Sequence, residues 1–335
     1  MTQPRKTEFH LLIDSWARWL RADVNSAGEP KSDFTIRNYT STIRRLGDHL
    51  AAEGLVGEEP GATGLIEVAA VTRQDIAGWL GKLRRESSAN NANHHHRNLT
   101  AFYQWAIHEE ELLHKNPMNS VKAFPPGQVD RTPYRADQIK AILKASDRPG
   151  FLPRRDHAIL RMFLDTGVRV GGLVAMRYDP DFPRADNPGK NDVFLDEPVP
   201  LVRLRMKGGR VIFVDIGSKT AVALDRYLRE RAKAPGAGLP NLWLSRDGLS
   251  ALGTRGVRAL VRRRTDDAGY PELRSHPHKW RRTVAVDHLR NEISDRTIMR
   301  RLGWKSSTMI DLYASEAADA LAWEESQKHR IADRY

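Results

Sequence analysis

The stretch HKWRRTVAVDHLRNEISDRTIMRRLGWKSSTMIDLY, running from His278 to Tyr313, decides how this chain is read. His278 stands three residues before Arg281, a spacing that puts both side chains on one face of a helix. A helix-like apolar run follows, then Leu302-Gly303-Trp304, and Leu312-Tyr313 closes the stretch, with Tyr313 nine positions after Trp304. An imidazole and a guanidinium on one face, joined by a second arginine from elsewhere, make a site for a phosphodiester in its transition state. The phenol beyond them is then a candidate nucleophile.

The second arginine lies upstream. Arg155 to Asp165 reads as a helix, closed by Thr166-Gly167 and followed by Val168-Arg169. Gly167 is expected to end the helix in a turn and so present Arg169 rigidly toward a cavity. Between the two blocks, Leu201 to Lys207 alternates like a strand, Gly208-Gly209 makes a tight turn, and Val211 to Ile216 returns. Thr-Gly-x-Arg alone is a weak motif, but H-x-x-R follows it here by about 110 positions.

Together these blocks resemble the tyrosine recombinase (phage integrase) family, whose second signature is H-x-x-R, then L-G-H/W, then Tyr. The resemblance runs from about residue 8 to 325. It implies an N-terminal all-α bundle, a SAM-like core-binding domain over residues 1–122, and a linker over 123–133. A mixed α+β, mainly helical catalytic domain with a C-terminal tail helix would fill 134–335. It also implies site-specific cleavage and rejoining of double-stranded DNA through a 3′-phosphotyrosine, in the integration or excision of a phage or mobile element. Arg169 and Arg281 would grip the non-bridging oxygens. His278 would act as base and Lys207, at the family's hairpin lysine, would protonate the leaving 5′-oxygen. Trp304 would donate an indole N–H, and Tyr313 would attack. The bond energy stays in the protein–DNA link, so neither ATP nor a metal is needed, and no cofactor is expected. The family further implies a homotetramer on DNA, with room for directionality or host accessory factors.

Two positions depart from the family pattern. Gly172 stands where Glu is usual, and Arg282 stands where His more often follows the second arginine. They keep two rivals open: a type IB topoisomerase, which shares the constellation, and a DNA-binding regulator that lost the reaction. Tyr134, Tyr270 and Tyr335 are alternative nucleophiles, but none has the spacing of Tyr313.

At 335 residues, two domains are the natural expectation. A net charge of +12 points to a polyanion, nucleic acid before membrane, since no strongly amphipathic basic helix stands alone, and no apolar run of about 18 residues is there to span a bilayer. No cysteine is present, which excludes a disulfide framework and suits a reducing cytoplasm, where a DNA-bound chain would sit on the nucleoid. The N-terminus shows no apolar signal core. Four amphipathic helices are expected in the first third: Phe9 to Leu20, Ile36 to Leu50, Ile76 to Leu83 after an N-capping Thr72, and about Asn91 to Glu110 with Leu99, Phe102, Tyr103 and Ile107 inward. Arg37, Arg44, Arg45 and Arg97 on these helices read by themselves as a solvated face, and the resemblance makes them candidate DNA contacts. Arg255, Arg258 and Arg262, on a helix from Thr254 to Arg264, are candidate DNA contacts by their dense basic face. His94-His95-His96 cannot chelate one ion from a helix, because successive residues point about 100° apart. A solvent- or phosphate-facing tract is expected there, and no metal. Leu242 to Gly248 reads as strand then turn, and Ser315 as the cap of a last helix.

Overall fold

The structure is a computed structural model; it describes residues 6–24, 28–55, 65–127, 132–206, 209–315, 318 and 326. The chain divides into two compact units, Met1–Val129 and Asp130–Tyr335.

Four helices build the first unit, each with its apolar stripe turned inward. They are α1 (Glu8–Ala22), α2 (Asp33–Glu53), α3 (Arg73–Glu86) and α4 (Ala89–His108). A two-residue parallel pair, β1 (Lys6–Thr7) with β2 (Leu65–Ile66), ties the start of α1 to the approach to α3. The side chains of Ser32, Thr72 and Ser88 accept the first free amides of α2, α3 and α4, and Asp75 completes a capping box with Thr72. Trp16 lies at the centre, 5.1 Å from Phe102, 5.6 Å from Tyr39 and 6.2 Å from Trp105 between ring centroids. Ile107, expected inward, is only half-buried, because Trp105 and Ala106 occupy the face that Leu99 and Phe102 set.

Phe124, placed in the linker by sequence, is fastened to this unit. The Asn93 amide bonds both its N–H and its C=O at 2.8 Å, and the Arg84 guanidinium lies 5.1 Å over its ring. Linker residues 128–131 lie outside the described residues.

The second unit is organised around α6 (Phe151–Thr166). Nine of its residues are buried, including Arg155, Asp156 and His157, so it is enclosed rather than one-faced. Around it stand α5 (Ala136–Ser146), the short α7 (Val170–Val174), α8 (Ser218–Arg231), α9 (Thr254–Asp267), α10 (Pro277–Arg290) and α11 (Asp295–Leu302). A final helical segment, α12, covers residues 308–315. An antiparallel sheet, β3 (Val193–Phe194), β4 (Leu201–Arg205) and β5 (Val211–Asp215), covers one side, with Arg205 opposite Val211 at the hairpin end. Mainly helical with two small sheets among the described residues, the chain has the expected fold class.

Three local expectations change. Leu242 to Leu244 is not a strand: its backbone makes single bonds to Met176 and Leu252, and only isolated bridges flank it. The long loop before β4 is pinned, because Asn191 and Asp192 are buried and Asp192 takes both Arg203 and Arg205. Ser315 lies inside α12 and not at its start, and its hydroxyl donates to the Leu312 carbonyl three residues back at 3.0 Å. The expected tail helix beyond it, with Ala317, Ala320, Leu321 and Trp323, lies outside the described residues. Among the described residues, no helix is long and apolar enough to cross a membrane.

Candidate active site

The site is built outward from α10. His276 caps this helix by accepting the Lys279 N–H at 3.2 Å, and Pro277 occupies the first turn, where no amide partner is needed. His278, Arg281 and Arg282 then leave one side of the helix at i, i+3 and i+4.

Arg281 is 1% exposed. Its Nη1 donates to the Gly167 carbonyl and its Nη2 to the Leu302 carbonyl, both at 2.6 Å. Gly167 ends α6 and Gly303 ends α11, both in the left-handed conformation (φ 55° and 63°) that favours glycine. One guanidinium therefore ties together the two helix ends that carry Arg169 and Trp304. The approach is close: a Cβ on Gly167 would stand 2.5 Å from Leu302 Cδ2.

Next to this tie the side chains alternate cation, ring, ring, cation. Arg281 Cζ lies 5.5 Å from the Trp304 ring. Trp304 and Tyr313 stack at 5.3 Å with 9° between their planes. Arg282 Cζ lies 5.6 Å from the Tyr313 ring. Tyr313 Oη is 3.5 Å from His278 Nε2, a loose contact of the kind catalytic pairs show before substrate binds. Tyr313 and Trp304 are buried, and the Trp304 indole N–H has no partner among the described residues. Arg169, just before α7, is solvent-exposed, as is His278.

The electrostatics are one-sided. Desolvation lowers the pKa of His278, and Arg282, Arg281, His276 and Arg169 push the same way. The imidazole is thus held neutral and able to accept a proton. Burial, then Arg169, lowers Arg281 to about 10, which still leaves it charged at neutral pH. Gly172 contributes no acid, and β4 has closed in on it: a Cβ there would stand 3.2 Å from the Arg205 carbonyl oxygen.

Five of the six sequence-designated site residues are described, and four of them, His278, Arg281, Trp304 and Tyr313, are in direct contact within one chain. The sixth, Lys207, lies outside the described residues. Its neighbour Met206 packs on the turn before Trp304, since a Cβ on Gly303 would collide with the Met206 side chain. The alternative tyrosines are placed differently. Tyr134 is buried in the core, pushed up to about 12 by burial and bonded to Ser275, while Tyr270 faces Asp137 at 3.5 Å. Tyr335 is outside the described residues.

On α9, Arg255, Arg258 and Arg262 are exposed and form one stripe at i, i+3 and i+7. Arg263 and Arg264 instead turn to the fully buried Asp156, at 2.7 and 2.9 Å. In the first unit Arg37, Arg44, Arg45 and Arg97 are exposed. The histidine tract is not a single solvent- or phosphate-facing surface, because the helical step sends its imidazoles three ways. His95 is buried, donates to Thr42 Oγ1 at 2.9 Å and accepts from Arg45 Nη1 at 3.1 Å. His96 donates to the Val121 carbonyl at 2.7 Å, and His94 accepts from Asn98 at 3.3 Å. Among the described residues, no group of three His, Asp or Glu side chains could hold a metal ion. Sequence reasoning missed the carboxylate at Asp156, the placement of Arg282 and the bond from Arg45 to His95. Each depends on which helices pack together, and no spacing within one helix signals it.

Comparison with known proteins places this geometry. Residues 134–319 match the phage integrase family. The chain is 30% identical over 309 residues to tyrosine recombinase XerC of Azotobacter vinelandii, covering 90% of this chain and 92% of that protein. It is 25% identical over 334 residues to tyrosine recombinase XerC of Oceanobacillus iheyensis, covering 97% and 98%. In fold it is similar to the XerH site-specific recombinase bound to difH substrate, with a TM-score of 0.67 at 14% identity over 95% of this chain and 97% of that one. The chain belongs to the phage integrase family, the tyrosine recombinases.

Proposed function

We propose that this chain cleaves and rejoins double-stranded DNA at specific sites through a 3′-phosphotyrosine formed on Tyr313. The observation that carries the reading is the position of Tyr313 Oη, 3.5 Å from His278 Nε2 and beside Arg281, all within one chain. Exposed Arg169 meets the scissile phosphate first. Arg281 has five N–H donors, and its two carbonyl bonds leave others for a non-bridging oxygen. The unpartnered indole N–H of Trp304 is a further donor. Neutral His278 takes the phenolic proton as the oxygen attacks phosphorus. The P–O5′ bond breaks, and Lys207 protonates the departing 5′-oxygen. The reverse reaction, with a new 5′-hydroxyl, reseals the strand without ATP, metal or other cofactor.

In this reading residues 1–122 form a core-binding domain, 123–133 a linker and 134–335 the catalytic domain. Arg37, Arg44, Arg45, Arg97, Arg255, Arg258 and Arg262 contact backbone phosphates. The chain works in the cytoplasm as a tetramer on DNA, in the integration or excision of a mobile element. The XerH–difH complex and the XerC relatives support site-specific recombination, and the mobile-element role rests on the resemblance of the signature blocks alone.

The test uses nicked suicide duplexes tiled across the DNA flanking the gene. The unmodified chain forms a covalent adduct on one of them, and Tyr313→Phe binds the same duplex but forms none. One observation favours a second reading, a DNA-binding regulator: both terminal nitrogens of Arg281 are engaged with backbone carbonyls. Specific binding with no adduct from the unmodified chain would decide for the regulator.

A further inference from the structure

We infer that Arg282 is a positioning residue for Tyr313, the outer jaw of a clamp whose inner jaw is Trp304. The inference rests on the reading of Tyr313 as the nucleophile. Arg281 and Arg282 are consecutive on α10, so their side chains leave it about 100° apart. They reach the two members of one stacked ring pair, Arg281 5.5 Å from the Trp304 centroid and Arg282 5.6 Å from the Tyr313 centroid.

Two nearly parallel rings with centroids 5.3 Å apart form an offset stack, which is favourable by itself. A cation over each ring adds its attraction to the π clouds and holds the pair in place. Arg282 is 8% exposed, so its attraction to the ring is little weakened by water. The result for Tyr313 is specific. Its ring is held between Trp304 and Arg282, with its hydroxyl 3.5 Å from His278 Nε2. A histidine at position 282, as the family more often has, is shorter and carries no fixed charge at neutral pH.

Arg282 also acts on the base. The charged groups around His278 are Arg282, Arg281 and His276 on α10 and Arg169 before α7, with the Tyr313 hydroxyl from α12. After desolvation, Arg282 has the largest influence of these in keeping the imidazole neutral. Removing its charge raises the pH at which His278 becomes a competent base.

The experiment compares the full chain with Arg282→Gln, Arg282→Lys and Arg282→His on a suicide duplex that the unmodified chain cleaves. Adduct formation is timed in single turnover from pH 5 to 9, alongside DNA affinity and thermal unfolding. Arg282→Gln is expected to slow adduct formation about tenfold or more with DNA affinity unchanged. Its acid limb should move to higher pH, and Arg282→Lys should restore the limb and part of the rate. Where Arg282→Gln does not fold, Arg282→Lys and Arg282→His make the same comparison. Loss of rate in step with loss of DNA affinity would make Arg282 a phosphate contact and overturn the inference. Unaltered rate and pH profile in Arg282→Gln would overturn it as well, while leaving the Tyr313 reading intact. No adduct from the unmodified chain on any tiled duplex would remove the nucleophile reading itself, and this inference with it.

Discussion

Helices α9 and α10 are both rich in arginine, and they treat it in opposite ways. On α9 the inward-facing pair, Arg263 and Arg264, meets a carboxylate: Asp156 is fully buried and also takes Arg155 at 2.7 Å. On α10, Arg281 meets two carbonyl oxygens and an indole face, and among the described residues no carboxylate acts on it. A guanidinium paired with a carboxylate has spent its charge on the fold. One held by dipoles and π clouds is fixed in place with its charge still available to a phosphate. The difference teaches how one unit can use the same side chain as a strut or keep its charge available, the second being the part proposed for Arg281.

The largest expected effect tests the reagent. Arg281→Gln should slow adduct formation about 10³-fold, the cost of losing one preorganised charge at a transition state. It should also strand the Gly167 and Leu302 carbonyls, at about 1–3 kcal/mol each. Single-turnover rates beside urea melts would separate the two losses, and a variant that cleaves within tenfold of the parent would break the contrast. The strut comes next. Asp156→Asn should lower stability by about 3–5 kcal/mol, because buried Arg155 loses its counter-charge, while Arg264 keeps Asp267. Its adduct rate per folded molecule should be unchanged, and a selective loss of rate would show that α9 and α10 are not separate in function.

The outward face of α9 sharpens the contrast further. Arg255→Ala, Arg258→Ala and Arg262→Ala should each reduce the slope of log affinity against log salt by about 1, equally on all DNA sequences. Melting temperature should not move. The smallest effect concerns an arginine held by an imidazole, Arg45 on His95. Burial, then Arg45, lowers His95 to about 4 in the folded chain, against about 6.5 when unfolded. Below about pH 6.5 the unfolded chain takes up a proton that the folded chain refuses until about pH 4. Stability therefore falls as pH drops through that window and is flat above it, by about 1 kcal/mol at pH 5.5. Thermal melts of the parent and His95→Gln across pH 5 to 7.5 should converge toward the acid end.

Much of this architecture was legible because it is local. His278 and Arg281 share a face by their spacing alone, and Gly167 ends its helix because only glycine takes φ near 55° easily. The apolar stripes of α1, α2 and α3 and the Thr72 cap follow from periodicity and side-chain chemistry in the same way. What misled was equally local in origin. Leu242-Trp243-Leu244 has strand composition, yet its backbone finds single partners in loops rather than a ladder. Ser315 has the chemistry of a cap, yet α12 had started seven residues earlier.

By itself, the sequence determined the identity and order of the proposed reacting groups: a phenol, an imidazole and two arginines at spacings that one fold can gather. Only the tertiary structure decided which arginine is spent and which is kept. That outcome depends on what each guanidinium meets across a helix interface, and a one-dimensional pattern carries no record of which faces will touch.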